Sequence, residues 1–276
     1  MSESTYREFL FFRVGTVSGS TLNRRKPSTL LVAAQHNHRE IQAELGADSH
    51  IDATRSHLNH TIAGHSTAAE VVAQANARLA RAGIKVESLR KDHVQAVELL
   101  FSLSPETEVN TIEYFSKCVA WAAKQFGEDN VLSAVIHHDE DAPHCHLLLL
   151  PLINNTMVGG RQIDQRHLPP LRSSFAKSVA LPAGLRMPSA RLRGNARAHG
   201  DRLVNRHIED HDDPVLGSKL WPIFRNIIRS DPAIFMDALN LEIPVRIKGK
   251  RKMKTSTAIF ISKGKGQKKV LRTGTQ

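Results

Sequence analysis

Residues 131–152 restrict the fold more than any other part of the chain. Two apolar runs, 131–138 (VLSAVIHH) and 144–152 (HCHLLLLPL), are separated only by Asp139-Glu140-Asp141-Ala142-Pro143. Each run has the length and residue types of a strand, and so short a connection joins antiparallel neighbours, because a parallel crossover takes a dozen residues or more. The same hairpin concentrates histidine. Side chains two apart in a strand share a face, so His144 and His146 project together while Cys145 points to the other side. His137 ends the first run, and the turn returns it beside them. Three neutral imidazoles that leave coordination positions free make a catalytic rather than a closed structural metal site. Imidazole suits zinc, iron, nickel or copper better than hard magnesium. Each ligand needs an acceptor for its second ring nitrogen, and Asp139 or Glu140 could serve. One histidine at a hairpin is ordinarily just a polar residue; three at converging positions with carboxylates between them favour a metal.

The rest of the N-terminal region completes an α+β pattern. Residues 8–17 (EFLFFRVGTV) read as a buried first strand, and Pro27 and Ser28 precede a helical segment that carries His36, Asn37 and Arg39 near its C-terminal end. A polar stretch with Asp52, Arg55 and Asn59 follows. Thr67 and Glu70 have capping-box spacing and open a helix with Val71, Val72, Ala75 and Leu79 at helical intervals, stopped by Gly83. Residues 94–103 form a strand, and 110–126 a helix with Ile112, Phe115, Val119, Ala122 and Phe126 on one stripe. Strand, helices, strand, helix and hairpin in that order imply a largely antiparallel sheet with flanking helices rather than a doubly wound fold. Glu98, an acid inside the apolar run of the 94–103 strand, either faces solvent or orients a group of the site, because burial without a partner is costly.

The chain thins out towards its C-terminal end. Residues 191–213 are polar and rich in arginine and histidine, and read as a linker between a catalytic domain at 1–190 and a small unit at 214–276. In that unit Asp231 and Pro232 open a helix to about Leu241, and a basic hairpin-like tail follows. The formal net charge of +11 is the charge of this tail: residues 245–276 hold eleven of the 38 lysines and arginines and no acid, so residues 1–244 are formally neutral. Such a block attracts phosphate backbones, with Lys250, Arg251 and Lys252 as candidate DNA contacts, and the short apolar segment Ile259-Phe260-Ile261 argues against a merely solvated tail. No stretch is apolar enough to span a membrane, and residues 1–20 lack a signal-peptide pattern. Two unpaired cysteines, Cys118 and Cys145, fit a reducing compartment, so the cytoplasm is expected.

Two motifs together resemble the MobV-type relaxases, the plasmid recombination enzymes among the His-hydrophobic-His nucleases. Residues 137–146 fit the pattern H-x-D-E-x-x-P-H-x-H, and His36-Asn37-His38-Arg39, followed by Ile51-Asp52 and Arg55-Ser56-His57-Leu58-Asn59, fits the upstream pattern. The likeness covers roughly residues 1–180 and implies an HUH relaxase-like fold. It implies that His137, His144 and His146 hold a divalent metal, Mn2+ or Mg2+, that Glu140 supports the site, and that His36 is the nucleophile. Asn37, Arg39 and Arg55 would position DNA, and the substrate would be single-stranded or extruded DNA at a plasmid transfer origin, nicked through a covalent 5′ intermediate and later resealed. A homodimer is left open. Tyr6, before the first strand, stays an alternative nucleophile, whereas Tyr114 reads as packing in a helix. Two other readings also stand: a three-histidine metal-dependent hydrolase of a small substrate, which needs neither His36 nor the tail, and a non-catalytic, metal-stabilised DNA-binding replication protein.

Overall fold

The expected hairpin is present, and it lies at the centre of a sheet. The structure, a computed structural model, describes residues 8–19, 29–41, 44, 50–187 and 189–242. Tyr6 and the basic tail with Lys250, Arg251, Lys252 and Ile259–Ile261 lie outside the described residues. The chain divides into two compact units, Met1–Ala190 and Arg191–Gln276.

In the first unit, strands β1 (Phe11–Ser18), β2 (His60–Gly64), β3 (Val94–Ser102), β4 (Val131–His137) and β5 (His144–Leu149) form one sheet. Their order is β1-β3-β5-β4-β2, and every neighbouring pair is antiparallel. Strands β6 (Leu152–Ile153) and β7 (Thr156–Met157) make a small separate hairpin. Helices α1 (Leu30–Asn37) and α2 (Ala68–Arg81) cover one face of the sheet, while α3 (Thr111–Phe126) and α4 (Leu168–Phe175) cover the other.

Strand β5 shows why both faces close. Cys145, Leu147 and Leu149 pack with Phe101, Phe115, Trp121 and Phe175 on the α3 side. Leu148 and Leu150 pack with Leu30, Ala34, Val71 and Leu79 under α1 and α2. Each fully buried leucine contributes about 2 kcal/mol, so the strand is fixed from both sides. Thr67 caps α2 as the capping-box spacing indicates, accepting from Glu70 N, and Asn110 caps α3 by accepting from Glu113 N. The cap of α1 is Thr29, which accepts from Val32 N.

Strand β2 was not legible beforehand. It is a short edge strand paired only with β4, and it ends at Gly64, which has φ +72° where an added Cβ would lie 2.0 Å from the carbonyl oxygen of Leu132. Only glycine fits this close approach.

The second unit contains α5 (Gly194–Asp210), α6 (Trp221–Ser230) and α7 (Pro232–Ala238). Most of the stretch expected as a polar linker, 191–213, is therefore helix. Its only buried residues are Gly200, Val204 and Ile208, a single stripe four residues apart that packs with Ile228 and Met236. Arginines and histidines over the rest of its surface gave it the composition of a linker. Gly200 lets α5 approach α7, since a Cβ there would meet Met236 Sδ at 2.8 Å.

Candidate metal centre

His137 at the end of β4 and His144 at the start of β5 are direct cross-strand partners, and His146 follows on the same face of β5. The three ring centroids lie 5.0, 5.0 and 5.1 Å apart. One nitrogen from each ring comes within 4.8 Å of the others.

Hydrogen bonds decide which nitrogen that is. His137 Nε2 donates to the Asn37 carbonyl (2.8 Å), His144 Nδ1 to the Ala142 carbonyl (2.8 Å), and His146 Nδ1 to Glu98 Oε1 (2.8 Å). The proton of each neutral ring is thereby committed, which leaves His137 Nδ1, His144 Nε2 and His146 Nε2 with free lone pairs. Two of these, His137 Nδ1 and His144 Nε2, face each other at 3.3 Å. Facing lone pairs repel unless a cation lies between them, so the donor set fits a divalent metal. Burial favours the neutral form of both rings: it pushes His137 well below the ordinary histidine range and lowers His144 as well.

The acceptors are not the expected ones. Neither Asp139 nor Glu140 serves a ring N–H; two backbone carbonyls and Glu98 do. Glu98 sits on β3 two residues from Leu100, the cross-strand partner of His146, and so shares its face. Burial alone would raise its carboxyl, but the hydrogen bond from His146 outweighs burial and helps hold it below the usual range. Glu98→Ala is expected to weaken manganese binding by about 10- to 100-fold, the usual effect of losing an outer partner of a ligand, while the fold persists. Titration with the metal checks this, and unchanged affinity would remove Glu98 from the centre.

Asp139 has another task. Fully buried, it accepts from Arg39 Nε (2.9 Å) and Nη2 (2.7 Å), Ser56 Oγ (2.7 Å) and Asn59 Nδ2 (2.7 Å). Its backbone carbonyl takes Asp52 N at 2.7 Å, and Asn59 Oδ1 takes His138 N at 2.8 Å. The single carboxylate thus ties the end of α1 and the 52–59 turn to the metal hairpin. Arg39 reaches it from a left-handed backbone (φ 58°) just past α1. Its Nη2 also donates to Glu140 Oε1 (2.8 Å), which lies 4.0 Å from His137 Nδ1 and 3.8 Å from His144 Nε2.

This arrangement corrects two expectations about DNA contacts. The Arg39 side chain is only 7% exposed and is committed to carboxylates, and Asn37 is 1% exposed beneath the site. Arg55 alone of the expected N-terminal contacts is exposed, on the 53–58 turn. His36, in the last turn of α1, is brought to the centre, with its ring 5.7 Å from that of His146 and 6.3 Å from that of His137. Its Nδ1 pairs with Glu44 Oε2 at 2.7 Å, a partner that no motif announced. Tyr114 is buried in the core, as a packing residue should be. Among the described residues no helix is long and apolar enough to cross a membrane.

The sheet, the paired histidine strands and the helix above them define a relaxase-type domain. The structure superposes on the MobM relaxase domain bound to origin DNA of plasmid pMV158, in manganese-bound crystals, with a TM-score of 0.54 and 21% identity over 68% of this chain and 93% of that one. A second manganese-bound crystal structure of the same domain gives 0.53 and 20% over 68% and 96%. The chain belongs to the plasmid recombination enzyme family, Mob_Pre, which it matches over residues 20–185. Relatives include the plasmid recombination enzyme of Streptococcus agalactiae, 22% identical over 64% of this chain and 36% of the relative. A 65 kDa protein of Zymomonas mobilis is 31% identical over 63% and 31%. The chain thus matches only about a third of the length of these relatives.

Proposed function

We propose that this chain nicks one strand of plasmid DNA at a transfer origin and later reseals it, with His36 as the nucleophile. The observation that carries the reading is the placement of a fourth imidazole, His36, 5.7 Å from a cluster of three histidines whose free nitrogens point at one another. A hydrolase using metal-bound water has no need of that ring. The family membership and the plasmid origin DNA held by the MobM domain support the same reading.

His137, His144 and His146 would hold the cation, manganese in the MobM crystals, which supplies Lewis-acid neutralisation of charge on a phosphate oxygen. Glu140, pinned by Arg39, keeps negative charge beside the ligand nitrogens. Arg55 and the basic tail bind the phosphates of an unpaired strand, since a duplex hides its strand from such a pocket. The His36 lone pair forms a bond to phosphorus as the bond from phosphorus to the 3′ oxygen breaks. A covalent adduct conserves the bond energy that resealing needs. With both cysteines free and buried, the chain suits the reducing cytoplasm.

The test uses supercoiled plasmid carrying DNA that flanks the gene, with Mn2+ or with chelator, resolved before and after protease digestion. Metal-dependent relaxed circles with attached protein are expected. The adduct should be released by mild acid, as a histidine phosphoramidate is, and should vanish in His36→Ala but persist in Tyr6→Phe. An acid-stable adduct that is lost in Tyr6→Phe would move the nucleophile to Tyr6. Relaxation without any adduct would point to hydrolysis.

A further inference from the structure

Among the described residues four carboxylates surround the centre, and three are already committed. Asp139 and Glu140 are held by Arg39, and Glu98 takes the N–H of His146. Glu44 is different. It lies beyond the end of α1, where the left-handed Arg39 turns the chain and Glu44 N donates to the Ile41 carbonyl at 3.0 Å. From there Oε2 stands 2.7 Å from His36 Nδ1, with both side chains about one-third exposed.

We propose that Glu44 is the positioning residue of the nucleophile: it keeps His36 protonated at Nδ1, so that Nε2 presents the lone pair to the scissile phosphate. This rests on the reading of His36 as nucleophile. A carboxylate accepts and cannot donate, so a ring bonded to it through Nδ1 must carry the proton there. An imidazole free in solution favours the opposite tautomer, with the proton on Nε2, and that form cannot attack from Nε2. The hydrogen bond also limits ring rotation about the Cβ–Cγ bond, which is needed for in-line approach.

The Nε2 lone pair forms the N–P bond, and the P–O3′ bond breaks with its electron pair left on the 3′ oxygen, which takes a proton from water. The Nδ1 proton stays between ring and carboxylate, and the positive charge of the phosphorylated ring is met by Glu44. Reversal for resealing returns the same lone pair to Nε2.

The first measurement requires neither DNA nor metal. Long-range proton–nitrogen NMR of the metal-free, 15N-labelled full chain, with His36 assigned by comparison with His36→Gln, reads its tautomer directly. The parent should show protonated Nδ1 and bare Nε2. Glu44→Ala should shift His36 to the Nε2-protonated form, and Glu44→Gln, whose amide oxygen still accepts, should restore the parent pattern. Because Glu44 is at the surface, both variants should melt like the parent. In the plasmid assay Glu44→Ala should slow adduct formation by about a hundredfold, the scale of a misplaced reacting group, with Glu44→Gln intermediate. An Nε2-protonated His36 in the parent, or a tautomer unmoved in Glu44→Ala, would overturn the proposal. A parent pattern as expected together with an adduct that survives His36→Ala would instead refute the nucleophile and leave the hydrogen bond standing.

Discussion

His144→Ala and His146→Ala should each abolish metal-dependent nicking while leaving the fold intact. Each substitution removes one of the three nitrogens that converge within 4.8 Å, and the remaining pair cannot enclose a cation. The loss in affinity should exceed the roughly 10- to 100-fold expected for an outer partner such as Glu98. Folding should be spared, because Cys145, Leu147 and Leu149 on the opposite face of β5 anchor the strand. The check is elemental analysis of manganese per chain after dialysis, beside circular dichroism and plasmid relaxation. A variant that retains the parent's metal content would show that these rings are not ligands.

Asp139→Ala should act on stability rather than chemistry. It leaves Arg39, 7% exposed, with Glu140 as its remaining carboxylate and strands the donors Ser56 Oγ and Asn59 Nδ2. Breaking a buried pair by removing one partner costs about 3–5 kcal/mol. For a chain of this size that corresponds to a melting temperature lower by about 10 °C. The effect should depend on pH in a definite sense. Burial alone would raise the Asp139 carboxyl, but the hydrogen bonds from Arg39, Ser56 and Asn59 prevail and hold it well below its ordinary 3.8. A carboxyl lowered by folding stabilises the native state above its unfolded pKa, and that stability is lost as pH falls towards the folded value. The gap between parent and variant should therefore be full at neutral pH and narrow between about pH 5 and pH 3. Urea melts at both ends of that interval decide the matter; a gap that is constant across it, or absent at pH 7, would contradict the assigned network.

The three-histidine cluster was legible because the strand period of two is simple geometry: once 144–149 is a strand, His144 and His146 must share a face. Glu98 was visible as an anomaly, an acid in an apolar run, but its partner depends on the β3–β5 register, which sequence spacing does not give. Backbone acceptors such as the carbonyls of Asn37 and Ala142 carry no side-chain signature. Glu44 was hidden for a related reason, since a left-handed residue at Arg39 decides where the chain returns. The upstream motif was recognised correctly as a unit but assigned the wrong task in part. Arg39 read as a DNA contact, yet it converges with Ser56 and Asn59 on Asp139, and the three brace the hairpin from within.

The two-sidedness of β5 has a consequence for how this chain can change. His144 and His146 lie on one face of the strand and Cys145, Leu147 and Leu149 on the other, so slipping it by one residue against β3 and β4 would turn the imidazoles into the aromatic core and present Cys145 and Leu147 in their place. Alignment of the histidine cluster and folding register are thus one property, and a misaligned but folded domain has no stable form to occupy. The vulnerable quantity is the length of the 139–143 turn. A single inserted or deleted residue there shifts the frame of every side chain that follows it on the strand, whereas substitution at its exposed Asp141 leaves that frame untouched.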